Sequence, residues 1–190
     1  MQKYYTLLAL CMLTQHALSQ SPNKHYNYLG GSFQWYPAGI ILNGIYEHGF
    51  SINNSWVLRA GVNLTNRKDF SEYNDNERGA GFGVSAGYRH YFPLRTGKLL
   101  AGINNDIWNM WINWKNDTGG VGETSGTTYT LVLQPWLELG YAYAIPHRPL
   151  QINFSTGFGR EINTITAGNE VGQGWMNSVL LSISWNLGHR

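Results

Sequence analysis

Residues 128–144 read TYTLVLQPWLELGYAYA. Tyr129, Leu131, Leu133, Leu137, Leu139, Tyr141 and Tyr143 take every second position, broken only by Pro135, and Thr130, Gln134, Glu138 and Gly140 lie between them. A period of two is that of a β-strand with one apolar and one polar face. The run exceeds the roughly ten residues that bound most strands of globular domains. The same alternation reaches the end of the chain, where Val179, Leu181, Ile183, Trp185 and Leu187 oppose Ser178, Ser182, Ser184 and Asn186. Strands of this kind in series predict an all-β fold, an eight-stranded antiparallel up-and-down transmembrane β-barrel.

Working outward from that stretch, the pattern places strands at 27–36, 40–50, 56–66, 80–92, 99–115, 128–144, 150–163 and 176–187. The connections alternate in length. Those at 51–55, 93–98 and 146–149 are short, those at 67–79, 116–127 and 164–174 are long and polar, and 37–39 is short where a long one belongs. An even strand number with both termini on one side puts long loops outside the cell and short turns in the periplasm.

Charged residues make up 13% of the 190, while Gly (23), Tyr (12) and Trp (8) are abundant. That balance excludes a disordered chain and a coiled coil, and a net charge of +2 offers no basic patch for nucleic acid. After residue 20 no apolar run approaches the ~18 residues of a spanning helix, so any membrane crossing falls to strands.

Residues 1–19 have the form of a secretory signal peptide, with Lys3 ahead of an apolar stretch from Tyr4 to Leu13. Ala17 and Ser19 are the small residues cleavage requires, so the expected mature domain is 20–190. Cys11, the only cysteine, falls within the apolar stretch, and Leu10 before it is too large for a lipoprotein acceptor. The mature chain therefore has no disulfide and no thiol nucleophile.

A soluble cup with its apolar face turned inward would show the same alternation. Residue size separates the two. The polar face carries Gly61, Gly83, Ser85, Gly87, Ser155, Gly157 and Gly159, whereas the apolar face carries aromatics expected to be too bulky for a narrow lumen, so the apolar face points outward. Two aromatic bands follow, with Tyr46, Trp56, Tyr88, Tyr141, Tyr143 and Trp185 at the periplasmic interface and Trp35, Trp114, Tyr129 and Trp175 at the outer one. The fifth strand changes phase between Ile103 and Trp108, which predicts a β-bulge at Asn104 to Asp106.

The stretches GYRHYF (87–92), QPWLELGY (134–141), GREIN (159–163) and VGQG (171–174) resemble those of small outer-membrane barrels. Over residues 27–187 the architecture is similar to that of the OmpA membrane domain and OmpX. The resemblance implies the outer membrane of a Gram-negative bacterium, with outer-membrane lipid and lipopolysaccharide and the barrel-assembly machinery as partners. It implies no activity. Such barrels tend to end on an aromatic residue, whereas this chain ends Trp-Asn-Leu-Gly-His-Arg.

By parity Glu47, Arg59, Arg89 and Glu138 face the lumen, and two acids with two bases on one inner wall suggest a charge network that plugs it. A proton or small-solute path would need a water column that eight strands rarely leave. The last loop offers Glu161, Asn163, Asn169 and Glu170 as surface-interaction candidates, without the spacing of a calcium loop. Lipid-active barrels that place Ser two residues after a catalytic His are not matched, since Phe50, Phe92 and Pro149 follow His48, His90 and His147 at that spacing. Paired carboxylates among Glu47, Asp106, Glu138 and Glu161 lack a sugar-sized cleft. No catalytic residue, metal or cofactor is expected. The expectation is a monomeric, non-enzymatic barrel with a structural or surface-interaction role through its outer loops, a lipid-A-modifying enzyme and a small-solute channel being the alternatives.

Overall fold

The computed structural model describes residues 25–68, 74–117 and 119–188, so the expected signal peptide and its cleavage point lie outside the described residues. Alternating residues form eight strands: β1 (Tyr26–Tyr36), β2 (Gly39–Gly49), β3 (Asn54–Lys68), β4 (Asn76–Pro93), β5 (Lys98–Asn116), β6 (Thr124–Ala144), β7 (Leu150–Ala167) and β8 (Gly174–Asn186). Each pairs antiparallel with the next, and β8 pairs with β1 to close the barrel. Closure leaves no free sheet edge over the length where all eight strands are paired. The chain has the architecture of a transmembrane β-barrel, all-β and up-and-down.

Short turns at 50–53, 94–97 and 145–149 lie at the end that also holds both ends of the strand series, here the terminal end. Gly97 and His147 adopt positive φ of 86° and 60° to close two of them. At the opposite, loop end, Pro37 and Ala38 join β1 to β2 directly, while β3 to β7 run on past that hairpin into longer connections.

The outer wall is apolar. Leu29, Leu58, Phe82, Ile103, Leu137, Leu139, Phe154 and Ile183 are all exposed. Trp35, Trp56 and Trp185 stand outward near the two rims, but Trp114 does not. It is 8% exposed and turned into the lumen, with its Nε1–H donating to Thr128 Oγ1 at 3.2 Å. Trp111, three residues earlier, is the exposed ring of β5, beside Phe82 and Tyr129.

The expected bulge in β5 is absent. Its register is unbroken on both sides, so Asn104, Asp106 and Trp108 all point inward and Asn105 points outward. The phase change inferred from Trp108 assumed that aromatics face lipid, and Trp108 is 1% exposed inside the barrel. The irregularity lies instead between β6 and β7, where Leu131 pairs with Ile165 but Val132 with Asn163. Thr164 is the extra residue, and its hydroxyl donates to the Leu131 carbonyl at 2.8 Å.

The lumen is therefore not too narrow for large rings. It holds Tyr36, Tyr91, Trp108, Trp114 and Trp136 because inward glycines face inward bulk. Along β4 and β5, Gly79 pairs with Ile112, Gly81 with Met110, Gly83 with Trp108 and Gly87 with Asn104. Any Cβ at Gly83 would collide with the Trp108 ring. Small-against-large pairing fills the interior at the density packed proteins require.

Candidate functional site

Glu47 on β2, Arg59 on β3, Arg89 on β4 and Glu138 on β6 meet in the lumen nearer the terminal end, each no more than 3% exposed. Arg89 holds both acids: its Nη1 lies 2.8 Å from Glu47 Oε2, its Nη2 2.7 Å from Glu138 Oε1 and its Nε 3.1 Å from Glu138 Oε2. Arg59 Nη2 reaches Glu138 Oε2 at 3.2 Å, and its Nη1 donates to Asn104 Oδ1 and Ser85 Oγ at 2.9 and 3.2 Å. Hydroxyls complete the acids, Ser55 and Tyr91 donating to Glu47 and Ser155 to Glu138. Buried charge is tolerable when it is paired and its remaining lone pairs are hydrogen-bonded, and both conditions are met at these acids.

A fifth charge belongs to this layer. Asp106, 2% exposed, accepts the Trp136 Nε1–H at 3.0 Å, and the Arg59 guanidinium lies 5.2 Å from the Trp136 ring centre. Its place was hidden by the bulge expected at that residue. Above it a largely apolar layer follows, in which Tyr36, Ile41, Trp108, Met110, Ile112, Trp114 and Val132 pack together.

A second charged layer lies at the loop end. Arg67 lies 3.3 Å from Glu77 Oε2 through Nη1, bonds Glu161 through Nη2, and donates to the Gly172 carbonyl. Gly172 N–H returns to Glu77 Oε1 at 2.9 Å, so residues 168–173 fold back over the opening. Val171, 1% exposed, packs into the apolar layer below like a stopper. Glu161 is thus not a surface-loop residue: it lies in β7 at 9% exposure because that strand runs on to Ala167, and its carboxylate serves the Arg67 pair. Asn163 is also in β7 and ties the Val171 carbonyl at 3.0 Å. Asn169 and Glu170 do stand exposed in the connection, their carbonyls accepting from Thr128 and from Asn74. Sequence parity missed this layer because Arg67 and Glu77 fall in what reads as a loop, and only the extension of β3 and β4 turns both inward.

On the outer wall at the terminal end, two similar trios recur. Asn27 Oδ1 meets the Tyr46 hydroxyl and His48 Nδ1 at 2.9 and 2.7 Å, and Asn54 Oδ1 meets the Tyr88 hydroxyl and His90 Nδ1 at 2.6 and 2.7 Å. Each histidine is held beside its tyrosine at the rim, with no acid among these contacts. Among the described residues no three His, Cys, Asp or Glu side chains are grouped to hold a metal ion.

No family model matches the sequence, and a search of curated proteins finds no significant match. Solved structures do match in fold. Neisserial surface protein A is similar with a TM-score of 0.51 at 10% identity, covering 85% of this chain and 96% of that one. The N-terminal β-barrel domain of Pseudomonas aeruginosa OprF has a TM-score of 0.42 at 11% identity, with 87% and 100% covered. Ail, the attachment invasion locus protein of Yersinia pestis, has a TM-score of 0.45 at 13% identity, with 86% and 97% covered. At such identities the likeness is one of fold.

Proposed function

We propose that this chain is a monomeric outer-membrane β-barrel of a Gram-negative bacterium, exported by a signal peptide cleaved after Ser19, with a structural or surface-interaction role. Its loop end faces the exterior, and its partners are outer-membrane lipid, lipopolysaccharide and the barrel-assembly machinery. One observation carries the reading. The wall is inverted relative to a soluble barrel, with Leu, Ile, Phe and Trp outward, while the interior holds Glu47, Arg59, Arg89 and Glu138 in pairs. Such a wall is stable in hydrocarbon and aggregates in water.

The role is non-enzymatic and the lumen closed. Two charged layers with packed rings between them leave each buried charge paired or hydrogen-bonded by neighbouring side chains rather than by a water column. The exposed residues 117, 119–123 and 168–170 then offer the surface for contacts outside the cell. Single-channel recording in planar bilayers tests the closed lumen. The expected trace shows no steady conductance; steady ion current from the wild-type protein would return the channel reading. Intact-mass measurement of the exported protein tests the Ser19 cleavage.

A further inference from the structure

We infer that the outward rows of β3 to β6 at the loop end form a binding site for the phosphate group of a membrane lipid, the inference resting on the membrane-barrel reading above. Strand register sets the rows. Lys68, Asn76, Lys115 and Ser125 lie side by side, and one step nearer the membrane come Asn66, Arg78, Asn113 and Thr127. The next row is Leu64, Ala80, Trp111 and Tyr129. Polar cationic rows thus give way at once to an apolar row with two adjoining tilted rings, Trp111 and Tyr129, which matches an amphiphile whose headgroup is anionic and whose chains lie below it.

The cationic rows enclose a groove of about 540 Å³, and its charged lining residues are Lys68, Arg78 and Lys115, all positive. All three are exposed. Arg78 Nε donates to Asn66 Oδ1 at 3.2 Å, which ties the guanidinium to the neighbouring strand. Lys115 shares an exposed ion pair with Glu123 at 3.0 Å, a contact weak enough in water to yield to a phosphate. Lys98 at the opposite end instead lies over the Tyr26 and Tyr91 rings at 5.8 and 5.4 Å. A phosphate diester or monoester oxygen is the partner that a guanidinium and two ammonium groups at a bilayer surface fit best. The chemistry could also serve a free phosphate anion, but the apolar row beneath favours the lipid.

The test uses full-length mature protein in phosphatidylcholine nanodiscs doped with phosphatidic acid, or with diacylglycerol of the same chains, read by native mass spectrometry of the ejected barrel. The wild type is expected to retain phosphatidic acid over diacylglycerol. Lys68→Gln, Arg78→Gln and Lys115→Gln together should lower that preference, at about fivefold per cation and on the order of a hundredfold for all three. The charge-preserving set Lys68→Arg, Arg78→Lys and Lys115→Arg should keep most of it. Arg78→Gln alone carries the test should the triple variant fail to fold. Undiminished preference in the glutamine variants overturns the inference, as does displacement of the lipid by equimolar inorganic phosphate, which marks a free-anion site. A wild-type protein that enters discs but selects no lipid sinks this inference alone. One that never enters discs sinks the membrane-barrel reading with it.

Discussion

Arg89 and Glu138 form a bidentate pair at 2.7 and 3.1 Å although β5 runs between their strands. The residue in register between them is Gly102, paired with Arg89 on one side and Glu138 on the other. Its missing side chain is the gap through which the pair reaches. A Cβ there would sit 2.9 Å from the Tyr88 carbonyl oxygen, 3.3 Å from Arg89 Cγ and 3.4 Å from Glu138 Oε2.

Gly102→Val should therefore lower stability by on the order of 3 kcal/mol, from overpacking and from prising the pair apart. Urea unfolding in lipid vesicles measures it. In an Arg89→Ala background the same substitution should cost clearly less, because the pair it disturbs is gone. Full additivity would show that Gly102 serves the backbone and not the ion pair.

Arg89→Ala leaves Glu47 and Glu138 without their main partner, a loss of about 3–5 kcal/mol for a dry site. Arg95→Ala, in the exposed turn 94–97, should fall within ~0.5 kcal/mol of wild type. Equal unfolding midpoints for the two variants would mean that water enters the lumen and screens the network.

At the loop end, Arg67→Ala removes the cation shared by Glu77 and Glu161 and the donor to the Gly172 carbonyl. Residues 168–173 should then swing out of the mouth, with hydrogen exchange at Val171 and Gly172 accelerating by an order of magnitude or more. Under the proposed closed lumen, bilayer conductance should stay absent, the Arg89 layer being untouched in this variant. Current appearing in this variant would identify the 168–173 connection as the sole barrier.

Orientation is checked by single cysteines, the expected mature chain having none. Val121→Cys, at a fully exposed loop position, should react with a membrane-impermeant maleimide on intact cells. Arg95→Cys should react only after the envelope is permeabilised. The reverse pattern would invert the barrel, and labelling of both in a soluble fraction would return the soluble cup.

Glu123 accepts from the Gly119 N–H at 3.1 Å and from Lys115, and those two donors hold its carboxyl below the ordinary glutamate value. A depressed carboxylate contributes order above its unfolded pKa and loses it as pH falls through the folded one. The ties from Gly119 and Lys115 to Glu123 should thus hold at neutral pH and loosen only in acid, below the usual glutamate titration. The Gly119 amide resonance, followed by NMR, should shift with a midpoint under that of a free glutamate. A midpoint at or above it would show that Lys115 is engaged elsewhere.

The sequence by itself determined the barrel, because period-two alternation encodes face, and face is a local property of a strand. It likewise located Glu47, Arg59, Arg89 and Glu138 on the inner wall, since parity within a strand follows from counting. Only the tertiary structure decided which aromatics sit inside. Trp108 and Trp114 carry the same apolar label as Trp111, and their fate depends on whether a glycine or small residue of the neighbouring strand leaves room, a matter of register between strands. The same holds for Arg67, Glu77 and Glu161. Their meeting requires β3, β4 and β7 to extend beyond the apolar band and the 168–173 connection to fold inward, and no alternation marks strand that has already left the membrane.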